Sequence, residues 1–398
     1  MRDRLLGALT RAASAVPGVA FRVTFDDGAS VAFGEGPPSF ALTFRTGAAL
    51  QRAATEGFLG FGEAYMDGDI EVEGDWDGFF AVAMSSGYES ARLPLPARAV
   101  LAVQRLRTRD SRRRARRNIA HHYDLGNDFY ALWLDRTMTY SCAYFRRHDM
   151  SLDEAQEAKL ELICRKLRLR AGQRLLDVGC GWGGLLIHAA RHHGVTGVGC
   201  TLSSAQASLA AERVREAGLE DRVTIVQRDY RDIEGAFDRW VSVGMFEHVG
   251  RAYLGRFVRQ IRRQLRPGGV GLLHTIGKDR PGRGDPWTLT YIFPGGYVPA
   301  LPEIARHLGW AGFVTVDVEN LREHYARTLD HWHERFERAA DRIEAMTDPR
   351  FVRMWRLFLV SSAAGFRHLD TRLFQFVFTN GVSGEVPPVR EDLYASPA

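Results

Sequence analysis

Lysine is nearly missing from this sequence. Of 53 basic residues only Lys159, Lys166 and Lys278 are lysines, and the rest are arginines. Such a surface offers planar, bidentate cations suited to phosphate. Cysteine is also sparse: Cys142, Cys164, Cys180 and Cys200 are the whole set. No two have CxxC spacing, so a zinc site is not expected, a disulfide framework has no support, and reduced thiols are the default. No run of about 18 uncharged apolar residues exists, so no helix is expected to span a bilayer. The first twenty residues, MRDRLLGALTRAASAVPGVA, have the outline of a secretory leader, but Arg11 interrupts the apolar stretch and secretion is not expected. No internal repeat is visible.

What is present is ordinary globular composition. The chain has 398 residues, 45% hydrophobic and 25% charged, with net charge +5 and pI near 9.1. That length predicts two domains. The positive balance points to a phosphate-bearing partner, either nucleic acid or anionic lipid headgroups. Residues 1–100 mix β-like runs (Phe21–Phe25, Ser39–Phe44) with turns rich in Gly and Pro. RLPLPARAVLA at 92–102 reads as a linker. RLRTRDSRRRARR at 105–117 holds eight arginines and reads either as a solvated linker or as a phosphate-binding patch.

From residue 152 strands alternate with helices. DEAQEAKLELICRKLRL has helical spacing of its apolar residues. RLLDVGCGWGGLLIHAARHH is a strand, a Gly-rich turn and a helix. VTGVGCTL, RVTIVQ, DRWVSVG and VGLLHTIG are further strands. Between them lie SSAQASLAAERVREAG, a helix capped by Ser203 or Ser204, and YLGRFVRQIRRQL, a helix stopped by Pro267. The alternation predicts a parallel, doubly wound sheet covered on both faces. In LLDVGCGWGG the spacing Gly179-x-Gly181-x-Gly183-Gly184 lets the backbone turn sharply and a ligand approach closely. Gly179, Gly181 and Gly184 satisfy the dinucleotide pattern. Asp177, Gly179, Gly181 and Gly183 equally satisfy that of S-adenosylmethionine (SAM) enzymes. The second strand ends in Cys200-Thr201-Leu202, without the acid that usually binds ribose. The loop alone does not choose the cofactor.

HHYDLGNDFYALWLDRTMTYSCAYF, LLDVGCGWGGLLIHAA, VTGVGCTLS, DYRDIEGAFDRWVSVGMFEHVG, LLHTIG and YIFPGG follow one another in that order. Together they resemble the cyclopropane-fatty-acyl-phospholipid synthase family, relatives of the mycolic acid cyclopropane synthases. The likeness covers roughly 118–380. GFGEAYMDG in the N-terminal block resembles the extra domain of the phospholipid-acting members. The resemblance implies an α/β fold of the class I SAM-methyltransferase type, a doubly wound sheet with an aromatic-rich helical cap. It also implies a smaller N-terminal α+β domain. The expected boundaries are 1–104 for lipid association, 105–117 for the Arg-rich linker and 118–398 for the catalytic domain.

In this family the cis double bond of an acyl chain attacks the methyl group of SAM. A bound bicarbonate then removes a proton and a cyclopropane ring closes. The bicarbonate positions map to Cys142, Glu247, His274, Ile276 and Tyr325. Glu247 would orient the ion, His274 and Tyr325 would donate hydrogen bonds, and Cys142 and Ile276 would contribute mainly backbone. Cys142 thus reads as the wall of an anion pocket and not as a nucleophile. Tyr291, Phe293, Tyr140 and Tyr144 would shield developing positive charge. For SAM, Tyr140 and Ser141 would reach the methionine part. Asp177, Gly179 and Gly181 would line the nucleotide cleft, and Thr201, Leu202 and Gln206 would flank ribose and adenine. Asp229, Tyr230 and Arg231 would follow the third strand. His121 and His122 read as structural or near the SAM tail. No metal is expected.

The implied partners are unsaturated membrane phospholipids, an anionic membrane surface and a second copy of the chain, with no nucleic acid. The implied location is cytoplasmic, on the inner face of the cell membrane. Two alternatives stay open. The same methyl transfer can end in a methylene-branched chain, or the fold can serve a SAM-fold lipid-binding protein.

Overall fold

The computed structural model describes residues 2–85, 99, 102 and 125–394. The Arg-rich stretch 105–117 and the His121–His122 pair lie outside the described residues. The chain forms two compact units.

The first unit is built from parts of 1–106 together with 284–294 and 329–370. Its sheet has the order β2-β1-β3-β4, from β1 (Phe21–Thr24), β2 (Ser30–Phe33), β3 (Phe40–Phe44) and β4 (Ile70–Gly74). β1 runs parallel to β3, and the other two pairings are antiparallel. The expected α+β character is present.

The boundary at 118 is not that of the compact unit. Residues 284–294 and 329–370, read from sequence as catalytic domain, belong here instead. Their aromatic residues explain why. Trp287 is fully buried, and its indole nitrogen donates to Met66 Sδ at 3.3 Å. Its ring packs on Phe58 at 5.7 Å. A Cβ at Gly62 would lie 2.5 Å from that indole, so the helix Phe58–Met66 needs glycine at the contact. Arg353 makes a forked bond to Glu71 and donates to the Tyr65 and Ile70 carbonyls.

The second unit carries the larger sheet, of order β10-β11-β9-β8-β5-β6-β7. These are β5 (Arg174–Val178), β6 (Thr196–Thr201), β7 (Val223–Gln227), β8 (Phe237–Val243), β9 (Leu265–Lys278), β10 (Phe313–Asn320) and β11 (Thr371–Asn380). The five strands read from sequence form the parallel part. β11 inserts between β9 and β10 and is antiparallel to both. RLFQFVF at 372–378, which falls in the part expected as an aromatic-rich helical cap, is therefore strand. Its period of two sends Phe374, Phe376 and Phe378 into the core of one face and Val377 into the other.

Each face is covered by helices whose apolar stripe explains them. Leu254, Phe257, Val258 and Ile261 on the helix Leu254–Gln264 are buried, and its arginines point outward. The helix Leu152–Lys166 starts with a capping box between Ser151 and Glu154. It covers the opposite face together with Gly184–His193. Among the described residues no helix is long and apolar enough to cross a membrane.

Candidate active site

At the C-terminal ends of β5 and β8, where the strand order reverses, lies a crevice of the kind in which open α/β sheets place ligands. Leaving β5, Gly179, Gly181 and Gly183 all have positive φ, at 84°, 54° and 80°. The N–H groups of Gly179 and Cys180 both donate to the Cys200 carbonyl, at 2.9 and 3.1 Å, which ties the turn to β6. All eleven residues expected to hold the nucleotide line one cavity here: Tyr140, Ser141, Asp177, Gly179, Gly181, Thr201, Leu202, Gln206, Asp229, Tyr230 and Arg231.

Their local bonds differ. Thr201 Oγ1 donates to Gln206 Oε1 at 2.7 Å, and Ser203 caps the helix Ser204–Glu216. Asp229 holds Arg231 through contacts of 2.6 and 2.8 Å, so this carboxylate is engaged within its own turn. Asp177 is buried with Oδ1 lacking a protein partner. Burial lifts its pKa to about 7 against the pull of the Lys159 ammonium.

Sequence reasoning missed Lys159, Met245 and His248, which also line the cavity. Lys159 is fully buried and donates to Ser141 Oγ at 3.1 Å. Burial lowers its pKa to about 8, against the attraction of Asp135 and Asp177. The signal was available: lysine survives at three positions in an arginine-dominated chain, and two of them, Lys159 and Lys166, are buried. Burial lowers the pKa of His248 to about 4, so it is a neutral ring at the mouth of β8.

The five residues mapped to the anion pocket lie in this same unit. Glu247 follows β8, and its Oε1 accepts from the Ile276 N–H at 2.6 Å. Its Oε2 is buried with no protein partner. Burial raises its pKa to about 7. His274 stands two residues before Ile276 on β9, and its Nδ1 meets Gln375 Nε2 at 3.1 Å. Its Nε2 is buried with no protein partner. Cys142 is fully buried, and its thiol reaches the carbonyls of Ala143 and Leu321 at 3.1 and 3.9 Å. Tyr325 is half-buried on the helix Arg322–Arg338, to which Ala143 and Phe145 also bond through Thr328 and His324. Two pairs are thus joined directly: Glu247 with Ile276, and the Cys142 segment with the helix that carries Tyr325.

Of the aromatic shield, Tyr140 lines the cavity and Tyr144 packs on His324 at 4.8 Å. Tyr291 and Phe293 belong to the first unit. There Tyr291 donates to Glu63 at 2.8 Å and Phe293 packs on Phe358 at 5.6 Å.

All four cysteines are buried and unpaired. Burial pushes the Cys142 thiol far above its ordinary range, and a protonated thiol is a poor nucleophile. At pH 8 the folded protein is expected to release less than one equivalent of thiol to a disulfide reagent, and four after denaturation. Fast reaction of Cys142 in the folded state, located by peptide mass, would contradict this.

Two family models match the chain. Residues 110–376 match "Mycolic acid cyclopropane synthetase", and residues 10–91 match a domain of unknown function. The chain is 43% identical over 336 residues to the cyclopropane-fatty-acyl-phospholipid synthase of Escherichia coli K12, covering 84% of this chain and 86% of that one. It is 36% identical to the tuberculostearic acid methyltransferase of Mycobacterium tuberculosis, covering 90% and 87%. Among solved structures, a mycolic acid cyclopropane synthase complexed with SAH and CTAB is 35% identical with a TM-score of 0.64. That match covers 66% of this chain and 98% of the other. A family model over most of the chain, an intact glycine turn on a doubly wound sheet and this level of identity lead to one conclusion: the chain belongs to the mycolic acid cyclopropane synthetase family and is a SAM-dependent methyltransferase.

Proposed function

We propose that this enzyme transfers the methyl group of SAM to the cis double bond of unsaturated acyl chains in membrane phospholipids and closes a cyclopropane ring with the help of bound bicarbonate. The carrying observation is a pair of buried, unpartnered polar atoms, Glu247 Oε2 and His274 Nε2. Buried polar groups normally have partners, and an orphan at a site points to a ligand. A small anion carrying one O–H matches this pair: it can donate to the carboxylate and accept from the ring. The glycine turn beside Asp177 likewise suits a nucleotide-bearing ligand.

When bound, SAM supplies an electrophilic methyl and bicarbonate a small base. The chain's own residues do the rest. Gly179 and Gly181 let backbone approach the adenosyl part, while Thr201, Leu202 and Gln206 flank it. Asp229, Tyr230 and Arg231 bound the far side, and Tyr140 and Ser141 face the methionine end, with Ser141 held by Lys159. Glu247 orients the anion, with the Ile276 N–H fixing its other oxygen. His274 and Tyr325 donate to the anion, and the buried Cys142 segment forms a wall that keeps water out. Exclusion of water matters because water would trap positive charge on the acyl chain as an alcohol. The reading includes a homodimer at the inner face of an anionic membrane, as the family resemblance implies.

A second reading keeps the methyl transfer and changes where the proton leaves, giving a methylene-branched chain. The 36% identity to a tuberculostearic acid methyltransferase over 90% of the chain favours considering it. Proton NMR of lipids recovered from SAM, bicarbonate and unsaturated phospholipid vesicles separates the two, because the products are isomers of equal mass. Upfield ring protons are the expected result. Exocyclic vinyl protons would replace the first reading by the second, and an unchanged spectrum with SAM bound would overturn the phospholipid substrate.

A further inference from the structure

Three neighbouring strands place polar residues side by side on the face covered by the helix Leu152–Lys166. His274 on β9 is the register partner of Gln375 on β11, and Gln375 is the register partner of Glu319 on β10. Lys166, in the last turn of the helix, reaches down to this row. Its Nζ donates to Gln375 Oε1 at 2.7 Å and forms an ion pair with Glu319. Lys166, Gln375 and His274 are all essentially inaccessible to solvent.

We infer that Lys166 and Gln375 are positioning residues that lock His274 as the neutral tautomer carrying its proton on Nε2, so that the ring offers a hydrogen-bond donor to the reaction site. The inference rests on the role proposed above for His274. An ammonium has three donors and no acceptor. The Gln375 atom it touches must therefore be the oxygen, which fixes which way the amide faces. The amide NH2 then points at His274 Nδ1, 3.1 Å away. A donor there requires Nδ1 to be an acceptor, so the single proton of the neutral ring sits on Nε2. Nε2 is the ring atom left without a protein partner.

The same arrangement opposes a charged ring. Protonating Nδ1 would set two donors against each other. The charged and titratable groups around the row are Lys159 and Lys166 on the covering helix, Glu319 on β10 with Tyr394 bonded to it at 3.2 Å, and Glu247 bonded two residues along β9. Burial, then the two ammonium groups, hold the imidazole well below its ordinary pKa. Neither lysine position can be read as a solvated surface charge, and arginine at 166 would bring a wider, forked head to a contact that a compact ammonium makes.

The test uses the full-length enzyme labelled with 15N-histidine, with the His274 signals assigned by their loss in His274→Gln. Long-range proton–nitrogen correlation is expected to show a protonated Nε2 and a bare Nδ1 at His274. A protonated Nδ1 would overturn the inference, whatever the activity. The second arm is Gln375→Glu. A carboxylate accepts from Nδ1–H, so Nε2 loses its proton and activity at pH 8 is expected to fall roughly 10–100-fold. The new carboxylate also raises the ring's pKa. Lowering the pH toward 6.5 then restores the Nε2 proton as imidazolium, and the ratio of variant to parent activity rises. A loss whose ratio stays flat with pH would mark Gln375 as merely structural and overturn the proposal. Full activity in His274→Gln would instead overturn the reading of the site, while the tautomer of His274 in the parent protein is read independently by NMR.

Discussion

Replacing Glu247 by glutamine is expected to lower kcat roughly 10³-fold, to leave SAM affinity within a few-fold of the parent, and to make the protein more stable above pH 7. The catalytic loss follows from geometry. One carboxylate oxygen is fixed by the Ile276 N–H at 2.6 Å, and the other is buried without a hydrogen-bond partner in the protein. Glutamine keeps the shape and removes the charge that would hold an anion's O–H. The stability gain follows from burial, which raises the carboxyl pKa from 4.5 to about 7. The folded state therefore keeps its proton where the unfolded chain has lost it. This stabilisation is complete below the unfolded value and disappears as pH rises from about 4.5 to 7. At pH 8 the folded protein carries a buried charge, costing up to about 3 kcal/mol at roughly 1.4 kcal/mol per unit. Glutamine does not titrate, so that slope vanishes in the variant. Thermal melts from pH 5 to 8.5, with bicarbonate omitted, compare the two. Equal pH slopes would show that Glu247 is not the group strained by burial, and unchanged kcat would remove it from the mechanism.

Alanine at Gly179 is expected to weaken SAM binding about 100-fold, a change of about 2.8 kcal/mol at 1.4 kcal/mol per factor of ten. The backbone there has φ of 84°, which costs a residue with a Cβ about 1–2 kcal/mol. The added Cβ would also lie 2.8 Å from the Met245 Cβ and 3.0 Å from its Cγ. Met245 lines the same cavity from the end of β8, so the collision is relieved only by moving the turn or the opposite wall. Gly181 is the internal comparison. Its φ is 54° and nothing lies within 4 Å of an added Cβ, so Gly181→Ala should cost less than about tenfold. Calorimetric titration with SAM measures both. Equal losses at the two positions would mean that the clash with Met245 plays no part. Recovery in the Gly179→Ala, Met245→Ala double variant would assign the loss to that contact.

Much of the site was legible in the chain because it is local. Asp177 and the glycines that follow are contiguous, and a strand leading into a glycine turn and a helix brings them together wherever the fold occurs. Ser203 at the cap, and Thr201 with Gln206 beside it, follow from helix-start chemistry over a few residues. The other residues expected at the nucleotide, Tyr140, Ser141, Leu202, Asp229, Tyr230 and Arg231, line the same cavity but were named from the family resemblance. The five anion-pocket residues were reached by resemblance, not by pattern. A histidine inside LLHTIG and a glutamate after a strand carry no local mark that separates a ligand from a satisfied core group.

Other features were not local. The strand Thr371–Asn380 reads as one more aromatic run until its place between β9 and β10 shows which residues face each layer. The segments 284–294 and 329–370 follow the catalytic motifs in sequence, yet Trp287 finds its packing partners at Phe58 and Met66. A contiguous reading cannot divide a chain that returns to its first unit twice.

The sequence by itself determined the doubly wound class, the glycine turn and the chemistry that turn permits, since periodicity and backbone freedom act over a few neighbouring residues. Only the tertiary structure decided that Lys159 and Lys166 are buried, that Glu247 and His274 each keep one polar atom without a partner, and that Lys166 meets Gln375 across 209 positions of chain. Desolvation and hydrogen-bond pairing depend on what packs against a group, and strand register, not sequence spacing, brings those neighbours together.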